Sequence, residues 1–205
     1  MKKIFFDTEF TGLHRNTTLI SIGLVSESGS IFYAEFTDYR RDQVDQWIEK
    51  NVIDNLSLDI PTDSKYYIRE YYNTPTDSKD SVSSIKVSGT TNQIKIELLA
   101  WLDANVGFIR DDKLQFVSDC YAYDWMLLVD LLTDGGSALD MPEFIYYIPL
   151  DLSTLLYARG IDPDINREEF AGLNTDVIKH NSLHDALTIK WCYERCMGSV
   201  DINTP

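Results

Sequence analysis

Basic residues are scarce in this sequence: 18 Lys and Arg stand against 33 Asp and Glu, a formal net charge of −15. A surface that negative repels phosphate polymers unless something local reverses the sign, which argues against broad, non-specific duplex binding. Cysteine is scarcer still. Cys120, Cys192 and Cys196 cannot all pair within one chain, and their spacing repeats no zinc-ligand pattern, so a reducing cytoplasmic setting is expected. Long apolar runs are also missing. Ile4-Phe5-Phe6 stops at Asp7, short of the ~7 to 15 residues an export signal uses. Residues 125–132 and 144–152 are interrupted well before the ~20 needed to cross a bilayer. Neither export nor membrane insertion is expected. What remains is an ordinary globular composition of 205 residues, 44% hydrophobic and 25% charged, which suits one domain carrying an insertion.

Residues 3–7, 19–25 and 31–36 are short β-branched or aromatic runs, separated by Gly12 and by the turn at 26–29, and predict three successive strands. Val44, Trp47, Ile48, Val52 and Leu56 recur at three- and four-residue spacing and predict a helix over 42–56 whose stripe covers a core. From 57 to 92 Ser, Thr, Asp and Lys dominate, with Pro61 and Pro75. This segment reads as an excursion from a single 1–205 domain, either a solvated loop or a substrate-binding arm. Helices are predicted over 92–105, 120–132, 152–158 and 182–197, and strands over 114–117 and 144–148. Strands first, then alternating helices and strands, predict an α/β domain on a mixed sheet.

In Phe5-Phe6-Asp7-Thr8-Glu9 the two-residue period of a strand puts Asp7 and Glu9 on one side, their Cα atoms roughly 6.5 Å apart. Two like charges at the end of an apolar strand raise at least one pKa unless a cation neutralises them. A hard divalent ion such as Mg²⁺ does so with few carboxylates plus water and substrate phosphate oxygens. The alternative is a pair of solvated acids at an exposed strand end. Asp124 lies in an apolar helix with Leu127, Leu128 and Leu131 on its face, where a carboxylate wants a partner; alternatively it lies at a boundary, near a helix N-terminus capped by Asp119. In His180-Asn181-Ser182-Leu183-His184-Asp185, Ser182 and Asp185 fit a capping box, or else His180 and Asp185 converge as base and ligand. Four carboxylates and one imidazole are the set that metal-assisted phosphodiester hydrolysis requires. Two cations ~3.5 to 4 Å apart hold the phosphate, and an imidazole of unperturbed pKa ~6.5 accepts the proton of the attacking water.

Together these residues resemble the DEDDh group of 3′-to-5′ exonucleases, whose fold is ribonuclease H-like: an α/β mixed sheet flanked by helices. Asp7-Thr8-Glu9-Phe10-Thr11-Gly12-Leu13 is similar to the first motif of that group, Tyr123-Asp124 to the second, and residues 180–185 to the third, His-x-x-x-x-Asp. The three stand in order across nearly the whole chain. Asp119 occupies the place, four before the aromatic, where the second motif often has Asn. Trp47-Ile48-Glu49-Lys50-Asn51-Val52 and residues 119–125 resemble small bacterial and phage exoribonucleases of the mycobacterial type.

The resemblance implies that Asp7, Glu9, Asp124 and Asp185 bind two Mg²⁺ or Mn²⁺ ions and that His180 is the general base; His184 is the competing base candidate, and because only His180 has the motif's spacing to Asp185, His184 is expected to be a surface residue. Phe10, Thr11, Gly12 and Leu13 would hold the 3′-terminal nucleotide, with Leu13 wedged against a base, a contact blind to base identity. The implied activity is a metal-dependent 3′-to-5′ exoribonuclease acting on single-stranded or 3′-overhang RNA in the cytoplasm of a bacterial or phage-infected cell. Homodimerisation is a further implication. A DNA-directed 3′-to-5′ exonuclease is the alternative of the same class. A nucleic-acid-binding scaffold without catalysis is the alternative from another class.

Overall fold

Period-two runs of β-branched and aromatic residues build the centre of the protein. Its structure is a computed structural model, which describes residues 1–58, 68–72, 84–106, 112–119, 121–173 and 180–198. Strands β1 (Lys2–Phe10), β2 (Leu19–Ser26) and β3 (Ile31–Phe36) follow one another antiparallel. With β4 (Ile68–Tyr72), β5 (Ser84–Gly89), β6 (Leu114–Ser118) and β7 (Leu150–Asp151) they form a seven-stranded mixed sheet in the order β4-β5-β3-β2-β1-β6-β7. The pairs β1–β6, β3–β5 and β6–β7 are parallel, and β4 runs antiparallel to β5. The helices are α1 (Gln46–Asn51), α2 (Thr91–Val106), α3 (Tyr121–Thr133), α4 (Leu152–Ala158), α5 (Arg167–Ala171) and α6 (Ser182–Gly198). None of the described helices is long and apolar enough to cross a membrane.

Alternation along β1 separates two cores. Ile4 and Phe6 join Ile22, Leu24, Phe32 and Phe116 with Leu98 and Trp101 of α2 and Leu128 of α3. Phe5 joins Val117, Leu152, Leu156, Ile189 and Cys192, on the side of α4 and α6. Each fully buried Ile, Leu or Phe stabilises the fold by about 1.5–3 kcal/mol. Strand alternation then places Asp7 and Glu9 on the side of Phe5, facing α6. Lys2 closes the other layer: its Nζ donates to the carbonyls of Asn105 and Val106 at 3.1 and 3.0 Å, satisfying the last turn of α2.

Three expectations need correction. The helix expected over 42–56 is broken into a 3₁₀ turn at Arg41–Gln43, α1, and a second 3₁₀ turn at Ile53–Asn55. Gln43 is held elsewhere, accepting from the Thr11 hydroxyl at 2.6 Å and donating to the Asn16 carbonyl at 3.0 Å, and Asp45 restarts the helix by accepting from Ile48 N–H at 2.8 Å. Ile48 and Val52 do cover Ile20, whereas Trp47 is 55% exposed. No strand forms over 144–148. Ile145 makes a single bridge to Leu114, and pairing resumes only at β7, beyond Pro149, which has no N–H to donate. The polar segment 57–92 supplies two strands, β4 and β5, that extend the sheet beyond β3; residues 59–67 and 73–83 of it lie outside the described residues.

Candidate active site

The end of β1 and the first turn of α6 meet. Oxygen atoms of Asp7, Glu9 and Asp185 lie within 4.8 Å of one another, each residue half-buried. Asn181 fixes that turn: its Oδ1 accepts from the N–H groups of Leu183 and His184 at 3.2 and 3.3 Å, and its carbonyl accepts from Asp185 N–H at 2.9 Å. The cap therefore belongs to Asn181. Ser182, expected there as half of a capping box, instead pairs its hydroxyl with that of Ser21 at 2.9 Å. The Asn181 amide also donates to the Asn55 carbonyl and the Ser57 hydroxyl at 2.8 and 2.9 Å, tying the loop to the turn after α1.

Burial and repulsion from Asp185 and Asp124 push the Glu9 carboxyl up to about 8. Asp124 stands beside the three acids rather than among them. It is 1% exposed, and its two oxygens accept from the hydroxyls of Thr8 at 2.7 Å and Ser118 at 2.5 Å. Burial raises it to about 6 while those hydroxyls pull it back. Thr8, between the two acids of β1, thus fastens α3 to the first strand. A set of converging, oxygen-only carboxylate donors with one acid driven towards protonation is suited to a hard divalent cation.

His180 has a left-handed backbone, φ 57°, and its ring meets that of Trp47 edge-on at 5.0 Å. With Asp7 and Asp185 it lines a cleft of about 510 Å³ whose other charged walls are Asp119, Asp164, Arg167 and Glu168. Asp119 is held from other elements: Arg167 grips it through Nε at 2.7 Å and Nη2 at 2.9 Å, and the Ser153 hydroxyl donates to it at 2.9 Å. Arg167 and Ser153 are among the cleft residues that motif reasoning misses, since neither belongs to a motif and they come from α5 and α4. His184 departs from its expected surface position. It is half-buried, and its Nδ1 has no hydrogen-bond partner among the described residues.

The loop after β1 is fixed at its base and open at its tip. The Thr11 hydroxyl accepts from Thr18 N–H at 2.9 Å besides meeting Gln43, and Phe10 stacks on Tyr123 with ring centres 5.3 Å apart and 13° between planes. Gly12 has φ 141°, a conformation side chains resist, and the His14 ring lies 3.1 Å from where a Cβ would stand. Leu13, at the tip, is 74% exposed.

A family model described as the 3′-5′ exoribonuclease Rv2179c-like domain matches residues 2–197. Two proteins of Mycobacterium tuberculosis are similar: 3′-5′ exoribonuclease MT2234.1 of strain CDC 1551 / Oshkosh and 3′-5′ exoribonuclease Rv2179c of strain ATCC 25618 / H37Rv. Each is 29% identical over 102 residues, 50% of this chain and 55% of theirs. The chain thus spans about half the length of the curated relatives it matches. Among solved structures, S. pombe Pop2p in its Mg²⁺- and Mn²⁺-bound form superposes with a TM-score of 0.58 at 11% identity, covering 97% of this chain and 83% of that one. The Neurospora crassa Pan2 catalytic unit, comprising protease and nuclease domain, gives 0.50 at 15% identity, covering 96% and 27%. At such identities the likeness is one of fold, and the mixed sheet flanked by helices is the ribonuclease H-like one expected from the motifs.

Proposed function

The chain belongs to the Rv2179c-like family of 3′-5′ exoribonuclease domains, and on that premise we propose that it removes nucleotides one at a time from the 3′ end of RNA with the help of divalent cations. The observation that carries this reading is the meeting of Asp7, Glu9 and Asp185, acids from the two ends of the chain, within 4.8 Å. Asp7, Glu9 and Asp185 would hold the two Mg²⁺ or Mn²⁺ ions, which would supply the positive charge that an acidic cleft lacks and lower the pKa of a bound water. His180 accepts the proton of that water on its imidazole. Asp124, held by Thr8 and Ser118, adds a fixed negative potential at Glu9, which a bound divalent cation would neutralise in place of a proton. Leu13 at the loop tip grips the terminal base, while Phe10, Thr11 and Gly12 keep the base of that loop rigid against α3 and Gln43.

The test uses 5′-labelled single-stranded RNA, single-stranded DNA and a 3′-overhang duplex, each incubated with Mg²⁺ and sampled over time. A ladder descending one nucleotide at a time on RNA, abolished by EDTA, is the expected result. Activity that survives rigorous chelation overturns the metal-dependent scheme, and faster degradation of DNA replaces RNA as the substrate.

A further inference from the structure

Gly23 faces Asp7 across the β1–β2 ladder, and its other neighbour in register is Tyr33 of β3. Nothing in the turn chemistry of β2 calls for glycine at this place, which is mid-strand, where glycine weakens a sheet and often marks a close approach by another backbone. The first turn of α6 is what approaches. A Cβ on Gly23 would lie 2.3 Å from the carbonyl oxygen of Ser182, 2.4 Å from its carbonyl carbon and 2.5 Å from the Cα of Leu183. All three are backbone atoms, so no side chain can swing aside. The turn is also fastened here, through the Ser21–Ser182 hydroxyl pair at 2.9 Å. Asp185 belongs to that turn, its N–H bound to the Asn181 carbonyl, and therefore moves with it.

We propose that Gly23 is a positioning residue for the metal-binding acids: its missing side chain lets α6 rest directly on β2 and so sets the separation of Asp185 from Asp7. The inference rests on the metal-dependent reading given above. A methyl group at this position moves the start of α6 by about 1 Å to reach ordinary contact, and a shift of that size near a reacting centre costs roughly a hundredfold in rate. Mg²⁺ is the more sensitive to it, because it demands near-ideal octahedral geometry.

The experiment titrates Mn²⁺ by calorimetry into metal-free wild type, Gly23→Ala and Val87→Ala, with circular dichroism to check folding and melting temperature recorded with and without Mn²⁺. Val87 is buried in the core on the opposite face of the sheet and reports loss of stability alone. Wild type and Val87→Ala are expected to bind Mn²⁺ equally and to melt higher with it. Gly23→Ala is expected to bind at least tenfold more weakly while keeping its helical signal, with little Mn²⁺-dependent rise in melting temperature. Equal Mn²⁺ affinity in wild type and Gly23→Ala overturns the inference and leaves the nuclease reading intact. Absence of Mn²⁺ binding by wild type overturns the nuclease reading itself. Should Gly23→Ala not fold, Ser182→Ala decides. It frees the same turn without a clash, and a folded protein with about threefold weaker Mn²⁺ binding supports the proposal, whereas unchanged affinity rejects it.

Discussion

The two faces of the β1–β3 sheet are made of different material. Towards α2 and α3 the strands present Ile4, Phe6, Ile22, Leu24, Phe32, Ala34 and Phe36, all buried and all apolar. Towards α6 the registers Asp7–Gly23–Tyr33 and Glu9–Ser21–Glu35 place acids, hydroxyls and a glycine side by side. Beside the apolar Phe5 and Val25, this face also buries polar groups: the Glu35 carboxylate accepts from Tyr33 Oη at 2.7 Å and from the N–H groups of Ser57 and Leu58 at 2.8 Å each. Because a strand alternates its side chains, one short sequence serves both purposes, with apolar burial holding the sheet from one side while the other side carries the costly convergence of like charges.

The largest expected break in this division is Asp7→Asn. It removes a carboxylate oxygen proposed to bind a cation on the polar face and is expected to lower RNA hydrolysis by roughly 10⁴-fold, since a metal ion supplies several kcal/mol of transition-state stabilisation. The circular dichroism spectrum stays unchanged, and a variant within tenfold of wild type would refute the assignment. Next comes His180→Ala, expected to cost about 10²- to 10³-fold in turnover as the loss of a general base, with Mn²⁺ affinity measured by calorimetry unaltered. Wild-type turnover rejects the base assignment.

The apolar face responds in the opposite way. Leu98→Ala opens a cavity under the sheet and is expected to destabilise the fold by about 2–5 kcal/mol in denaturant melts. Turnover per folded molecule is expected to hold, and a matching collapse of turnover would show that the faces are not separable.

The smallest effect is the pH response of metal-free protein. Glu9 is held near 8 against an ordinary 4.5, and Asp124 near 6 against 3.8. Folded molecules therefore bind more protons than unfolded ones from roughly pH 4 to 8, so stability is greatest below that window and declines as pH rises through it. Thermal melts are expected to follow that decline and to flatten in Glu9→Gln; a melting temperature that climbs over the same range contradicts it.

How far the sequence reveals all this depends on whether a feature is carried by local periodicity. The alternation of β1 to β3 and the apolar spacing of α2, α3 and α6 match the observed elements to within three residues at every end. β5 escapes because only Ile85 and Val87 in Ser84–Gly89 are apolar, too few for a period-two signal in a Ser- and Lys-rich stretch. The broken helix at 42–56 escapes because its interruption is tertiary: Gln43 is drawn to Thr11 and Asn16, contacts no window around residue 43 contains. In the site, the facing of Asp7 and Glu9 follows from spacing alone. The Asp119–Arg167 pair does not, nor do the hydroxyls of Thr8 and Ser118 on Asp124, because their partners meet only once α3, α5 and the strand ends are packed together.

Trp47 has one further consequence. Its indole projects half into solvent against the His180 ring, whereas Trp101 and Trp125 are sealed in the core. Tryptophan emission follows the polarity of its surroundings, so a molecule that disturbs the Trp47–His180 contact alters the light from that indole over a background from Trp101, Trp125 and the surface Trp191. The protein thereby carries its own optical gauge of occupancy, and no dye need be attached.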